Sequence, residues 1–422
     1  MIGENSMSKY IVRKAERLCG AVKISGSKNS ALPIIAASML AEGETVLYNV
    51  PRLTDIENMC GIIRCLGGNC QWSNDELRIS FRKPKTYIAP YELVTKFRAS
   101  FLLIAPMLIR VGKVQIPLPG GCPIGARPID LHLKGFTALG AKITQGHGFI
   151  EAKARRLSGT RIYLDFPSVG ATENIMIASV MAEGETVIEN AATEPEISDL
   201  ADFLVKMGGK IQGAGTDRIV IEGVSRLRAV PHKIIPDRIE AGTYLTAGVM
   251  CKSDITVENI IPEHIKPVMA KFSEMGIEVI ENENSVRIIA PTKIRHTDIK
   301  TLPFPGFPTD MQSQFTALMS VAEGTSLIVE TVFENRFLHI PELSRMGAKI
   351  KVDGRTAIVD GTKTLTGAKV KASDLRGGAS LVLAGLVAEG ETEIDCIEHI
   401  ERGYENFGEK LRSLGADIIK IQ

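Results

Sequence analysis

The chain has 422 residues, with 50 Lys and Arg against 49 Asp and Glu, 44% hydrophobic and 23% charged; this excludes a disordered chain and suggests two or three domains of about 100 to 200 residues. A formal charge of +1 gives no global attraction to nucleic acid or an anionic membrane, so any anion must be held by local Arg and Lys. Seven scattered cysteines without CxxC spacing imply neither a disulfide framework nor a zinc site.

The amino-terminal MIGENSMSKYIVRK has no apolar core before a small-residue cleavage site. The longest apolar run, 31–40, falls far short of the ~20 residues of a membrane span. The expectation is a cytoplasmic protein without membrane association. Met7 offers an alternative start, with residues 1–6 as an extension.

A strand is predicted over 10–19, followed by SGSKNSALPIIAASMLAEGETVLYNV. Its apolar stretch reads as a helix buried on all sides, ended at the AEG glycine and followed by a strand. The same order recurs in ENIMIASVMAEGETVIENA, MQSQFTALMSVAEGTSLIVET and GGASLVLAGLVAEGETEIDCI. An amphipathic helix comes next, as in ISDLADFLVKMG, where Leu200, Phe203, Leu204 and Met207 share one face. A short turn then leads into further strands. Its glycines, Gly67, Gly140, Gly208, Gly276, Gly347 and Gly415, are spaced by 73, 68, 68, 71 and 68 residues. The chain is therefore read as six copies of a β-α-β-α-β-β unit.

A helix apolar all round cannot be buried within one such copy, so neighbouring copies must surround it. Six copies suggest two closed or semi-closed assemblies of three, helices inside and sheets outside. AVPHKIIPDRIEAG, with Pro231 and Pro236, is the linker candidate. The first strand is expected to join the last repeat. The domains are then 21–232, and 1–20 plus 233–422, with an active site in the cleft between them.

Four segments stand out as candidates for chemistry. PLPGGCPIGARPIDLH, Pro117 to His132, breaks the repeat and carries Cys122 on a permissive Gly/Pro loop. Arg127, five residues on, is placed to hold a phosphate or favour a thiolate; taken alone it also reads as a solvated arginine. Lys28 and Asn29 open the first buried helix, and Arg98 opens another, where free N–H groups face anions. Asp310 and Arg376 occupy the equivalent point in two later repeats, so these groups are expected at similar ends of their assemblies. For Asp310 a helix N-cap is the competing reading. Arg336 and Arg402 add cations. The chain contains no GxxxxGK[ST], HExxH, GxSxG or strand-borne GxGxxG, and 5% aromatics give no stacking platform for nucleic acid.

Taken in order, SGSKNSALP, FRAS, PLPGGCPIGARPIDLH, SVGAT, PDRIEAGT, FPTDMQSQF, ETVFENRF, DLRGGASLVLAG and HIERGY resemble the successive motifs of the UDP-N-acetylglucosamine 1-carboxyvinyltransferase family, across essentially the whole chain. The resemblance implies an α/β fold of two inside-out α/β barrels of three repeats each. It implies transfer of the enolpyruvyl group of phosphoenolpyruvate to the 3′-hydroxyl of UDP-N-acetylglucosamine with release of phosphate, the first committed step of peptidoglycan synthesis. No metal, other cofactor or obligate protein partner is implied. On the same resemblance Cys122 is the proton donor and Asp310 the base. Lys28, Arg127 and Arg402 bind phosphoenolpyruvate, with Lys28 and Arg402 also counted as catalytic; Asn29 belongs to that site and contacts the sugar, which Asp310 also meets. Arg98, Arg127, Pro128, Ile129, Asp130, Leu131, Ser168, Val169, Gly170 and Val332 line the sugar-nucleotide site. Charge considerations add Arg376 to the phosphoenolpyruvate cations, because a phosphate and a carboxylate together need several. Phe166 departs from members with a lysine two residues before SVG. The alternatives are a 5-enolpyruvylshikimate-3-phosphate synthase, disfavoured by the loop cysteine and RPIDLH, and a silent paralogue, disfavoured by Lys28, Cys122, Asp310 and Arg402.

Overall fold

The computed structural model describes residues 8–120, 124–125 and 128–421. It divides into two units. The inserted unit runs from Gly26 to Ile235; the terminal unit holds the chain up to Ser25, the piece with Ile124 and Gly125, and everything from Pro236. These boundaries lie a few residues beyond those expected, at 25/26 and 235/236 instead of 20/21 and 232/233. The reason is strand pairing. Cys19–Lys23 pairs in parallel with Asp254–Glu258 in the terminal unit, and Pro231–Lys233 with Glu44–Tyr48 in the inserted one.

Among the described residues the inserted unit carries three sheets and the terminal unit three four-stranded sheets plus the two-stranded pair of Leu365–Thr366 with Ala388–Glu389, and the five four-stranded sheets follow one plan. A short edge strand runs parallel to the strand after the buried helix, and that strand pairs antiparallel with one of two further antiparallel strands, which form a hairpin in four of the five. Arg161–Tyr163, Glu185–Glu189, Arg218–Glu222 and Lys210–Gln212 give one example. In the sheet of Lys113–Pro117, Phe149–Lys153 and Lys142–Gly146, the edge strand shrinks to a parallel bridge from Ile88 to Gln115. The expected pairing of the first strand with the last repeat is present: Lys9–Arg13 lies between Glu391–Asp395 and Ile418–Ile421. The sheets alternate along each strand; Ile255 and Val257 are buried while Glu258 is exposed, as a sheet with one wet face requires.

Six helices fill the interiors: α1 (Lys28–Ala37), α2 (Ile104–Val111), α3 (Val169–Ser179), α4 (Arg238–Met250), α5 (Gln312–Met319) and α6 (Leu375–Gly385). In α3, every residue from Ala171 to Ser179 is buried, and in α4 every residue from Ile239 to Met250. No stripe faces water, so neighbours must cover all sides. In the terminal unit α4, α5 and α6 pack on one another; in the inserted unit α3 packs on both α1 and α2. The AEG glycines do not end these helices as expected. Helix α1 stops at Ala37 and α3 at Ser179, whereas Gly43 and Gly184 take φ of 112° and 86° at the entry to the next strand. At that positive φ a side chain would be strained.

Phe315 of α5 is fully buried, stacked on Phe272 at 5.3 Å and edge-on to Phe307 at 4.8 Å. Phe315→Ala empties the centre of the terminal core and is expected to cost about 3–5 kcal/mol, read as a lower midpoint in denaturant unfolding; an unchanged midpoint would contradict this packing.

Candidate functional site

In the inserted unit the candidate residues gather at helix starts. Ser27 caps α1, accepting the Ser30 N–H at 3.3 Å. Lys28, the first residue of α1, is buried and its ammonium lies 3.3 Å from the Asp55 carboxylate, whereas Asn29 is exposed. A cation at a helix N-terminus opposes the dipole, and a buried one needs a counter-charge. Asp55 supplies it. Sequence reasoning missed Asp55 because an acid in the first turn of the amphipathic helix Thr54–Leu66 is ordinary dipole chemistry.

Arg98 begins the turn Arg98–Leu103, which packs against α1 and α3, and donates to the Pro128 carbonyl at 2.9 Å. That bond ties Arg98 to Ile129 and to the start of the helix Asp130–Ala138, which holds Leu131. Ser168 caps α3 by accepting the Ala171 N–H, and Val169 and Gly170 form its first turn. Gly170 allows a close approach: a Cβ there would stand 3.2 Å from the His132 ring. Neither α1 nor α3 has an acid in its first turn. The Phe166 ring is exposed. Cys122 and Arg127 lie outside the described residues.

In the terminal unit three helix N-termini meet. Asp237 caps α4, accepting the Ile239 and Glu240 N–H groups at 2.8 and 3.0 Å. Asp374 caps α6 through the Arg376 and Gly377 N–H groups, both at 3.0 Å. Asp310 sits in the turn Thr309–Met311 leading into α5, and its carboxylate caps nothing. It accepts instead from Arg336 at 2.8 Å and from Arg376 at 3.1 Å. The two arginine side chains are only 2% and 4% exposed, against 28% for Asp310. The N-cap reading of Asp310 is thus replaced by an ion triad, and Arg336 joins the site through it.

Burial opposes ionisation of Asp310, but the Arg336 and Arg376 charges prevail and hold its carboxyl well below the usual range. Arg376 also stands over the Tyr404 ring at 5.1 Å, and the Tyr404 hydroxyl meets Thr243 at 3.0 Å and Gln314 at 3.2 Å. Burial pushes the Tyr404 hydroxyl up, against the pull of Arg376. Burial pushes His339 down to about 4, with Asp374 raising it and Arg336 lowering it, so His339 adds no charge at neutral pH. Arg402 follows the short helix Glu398–Glu401, two residues before Tyr404. Val332 is positioned by its N–H, which donates to the Glu330 carboxylate at 2.8 Å. Among the described residues no three His, Cys, Asp or Glu are grouped to hold a metal ion, and no helix is long and apolar enough to cross a membrane.

The comparisons fit this layout. Residues 12–411 match the family model of EPSP synthase (3-phosphoshikimate 1-carboxyvinyltransferase). The chain is 57% identical to UDP-N-acetylglucosamine 1-carboxyvinyltransferase 1 of Caldanaerobacter subterraneus subsp. tengcongensis, covering 98% of this chain and 99% of that one. It is likewise 57% identical to UDP-N-acetylglucosamine 1-carboxyvinyltransferase 2 of Carboxydothermus hydrogenoformans, over 98% and 100%. Among solved structures, the enolpyruvyl transferase NikO from Streptomyces tendae superimposes with a TM-score of 0.89 at 26% identity, covering 98% and 99%. EPSP synthase from Acinetobacter baumannii, at 18% identity and a TM-score of 0.78 over 98% and 100%, shares the fold.

Because the folded Asp310 carboxyl is depressed below its unfolded value of about 3.9, its contribution to stability is complete above about pH 4 and lost as the pH falls below that. Asp310→Asn leaves two buried guanidiniums without their counter-charge, and the expected cost at pH 7 is ~1–3 kcal/mol. Unfolding free energies from pH 7 down to pH 2 should therefore converge for the two proteins in acid; a constant gap across that range would contradict the triad.

Proposed function

Because the chain belongs to the enolpyruvyl transferase family that includes EPSP synthase and UDP-N-acetylglucosamine 1-carboxyvinyltransferase, we propose that it transfers the enolpyruvyl group of phosphoenolpyruvate to the 3′-hydroxyl of UDP-N-acetylglucosamine. The observation that carries this choice of acceptor is the 57% identity, over nearly the full chain, to relatives named for that reaction. The EPSP synthase match at 18% identity supports the fold alone. In this reading the enzyme is cytoplasmic and catalyses the first committed step of peptidoglycan synthesis.

The chemistry is an addition followed by an elimination. Cys122 delivers a proton to C3 of phosphoenolpyruvate while the sugar oxygen bonds to C2 and its hydroxyl proton passes to Asp310. Loss of a proton from C3 then expels phosphate and restores the double bond, so no net oxidation occurs. Lys28, Arg127, Arg376 and Arg402 neutralise the phosphate and carboxylate. The acid-free starts of α1 and α3 offer N–H groups to the diphosphate, beside Ser168, Val169, Gly170 and Arg98. Asn29 contacts the sugar, and Pro128, Ile129, Asp130, Leu131 and Val332 line the nucleotide.

Asp310, ionised throughout the physiological range, acts only as a proton acceptor. Its arginines make it a weak base in this state. A substrate anion on Arg376 competes for that charge and raises the basicity of Asp310 when the acceptor is in place.

Phosphate release from phosphoenolpyruvate is expected with UDP-N-acetylglucosamine and not with shikimate 3-phosphate; the opposite preference would sink this reading. Asp310→Asn should lower kcat by about 10² to 10⁴ with a smaller change in substrate affinity. An epoxide phosphonate of the fosfomycin type should alkylate Cys122 in preference to Cys60 and Cys251, which are buried, and peptide mapping after brief labelling checks this.

A further inference from the structure

Glu330 stands one residue past the strand Thr325–Val329 and is 1% exposed. Four donors converge on its carboxylate. Oε1 accepts from the Thr301 hydroxyl at 2.9 Å and from the Val332 and Phe333 N–H groups at 2.8 and 3.0 Å. Oε2 accepts from the Thr309 hydroxyl at 2.9 Å. Thr309 directly precedes Asp310 in a single tight turn. Phe333 lies under the Arg336 guanidinium, 5.5 Å from ring centre to Cζ. One buried side chain thus holds the Asp310 turn with one oxygen and the approach to Val332 and Arg336 with the other.

We propose that Glu330 is a positioning residue for the enolpyruvyl transfer, setting the base Asp310 in register with the arginine and with the loop that meets the nucleotide sugar. This rests on the reading of Asp310 as the base. Glu330 itself touches no reacting atom. Its effect runs through geometry, and displacement of a reacting group by about 1 Å can cost 10²-fold in rate. A loop staple without this role would alter melting and leave the kinetic constants of the folded enzyme alone.

The Oε2 arm can be cut without altering shape. Thr309→Val keeps the volume of a half-buried side chain and removes only its hydroxyl. The expected result is a kcat lower by about 10- to 100-fold, with KM for UDP-N-acetylglucosamine within about twofold, and recovery in Thr309→Ser. Glu330→Ala should lower kcat and raise that KM together, since it also releases Val332. A melting curve for each variant establishes folding, and Thr309→Ala reads the same contact if the valine variant does not fold. Wild-type kcat in folded Thr309→Val overturns the proposal. Absence of phosphate release by the wild-type enzyme would instead sink the assigned reaction. A crystal structure of Thr309→Val decides the positioning independently: Asp310 displaced from Arg336 and Arg376 supports it, and Asp310 unmoved between them overturns it.

Discussion

Burying a helix on every side brings its charged end into the protein as well, and the candidate site is built around that constraint. Each buried helix presents roughly half a positive charge and several free N–H groups at its N-terminus. In the terminal unit three such ends converge with two buried arginines, and Asp237, Asp374 and Asp310 answer them. Two of these aspartates cap the backbone of a helix start, each through its Oδ1. The third faces the arginines, with its carboxylate on side chains and not on a helix end. In the inserted unit the ends of α1 and α3 carry serine caps and no first-turn acid, which leaves their positive character for a ligand.

A second constraint is the exchange of two strands. In the repeats around α3, α5 and α6, the strand before the helix pairs with the strand after it. At α1 and α4 those strands are traded between the units. Each unit therefore completes its sheets only through a piece of chain that belongs, in sequence, to the other. Both crossing segments are anchored by buried carboxylates. In the terminal unit the Ser25 N–H donates to Glu240 at 2.9 Å, and Lys410 donates to the same carboxylate at 2.6 Å. Burial raises Glu240 to about 7, with Lys410 pulling the other way. In the inserted unit Asp199 accepts the Ile235 N–H at 3.3 Å and bonds His232 at 2.9 Å.

Pattern made the architecture legible. The turn glycines at a period near 70, the helices apolar on all sides and the strand alternation are local signals, and local signals survive in a linear reading. The candidate residues were legible to the extent that they sit at helix starts, as Lys28, Arg98, Ser168, Asp310 and Arg376 do. Asp55 and Glu330 were obscured for one shared reason, as was the role of Arg336, which the sequence offered only as a further cation. Each looks like a common surface residue until a partner distant in sequence, Lys28, Asp310 or Thr309, is brought against it. The edge strands at the crossings, Cys19–Lys23 and Pro231–Lys233, were not marked out, because parallel pairing leaves no mark in the strand that precedes it.

The sequence by itself determined the repeat, the class of fold, the resemblance and the chemical types available: a thiol on a Gly/Pro loop, a carboxylate before a helix and several cations at equivalent points. Only the tertiary structure decided what Asp310 does with its oxygens. As a helix cap its partners would be N–H groups two or three residues away, which adjacency in the chain can propose. Its actual partners, Arg336 and Arg376, stand 26 and 66 residues along the chain. Arg376 reaches it from the start of α6 and Arg336 from the segment before the helix Ile340–Arg345, while Thr309, bonded to Glu330, holds the turn that faces them, contacts that exist only once segments distant in sequence pack together.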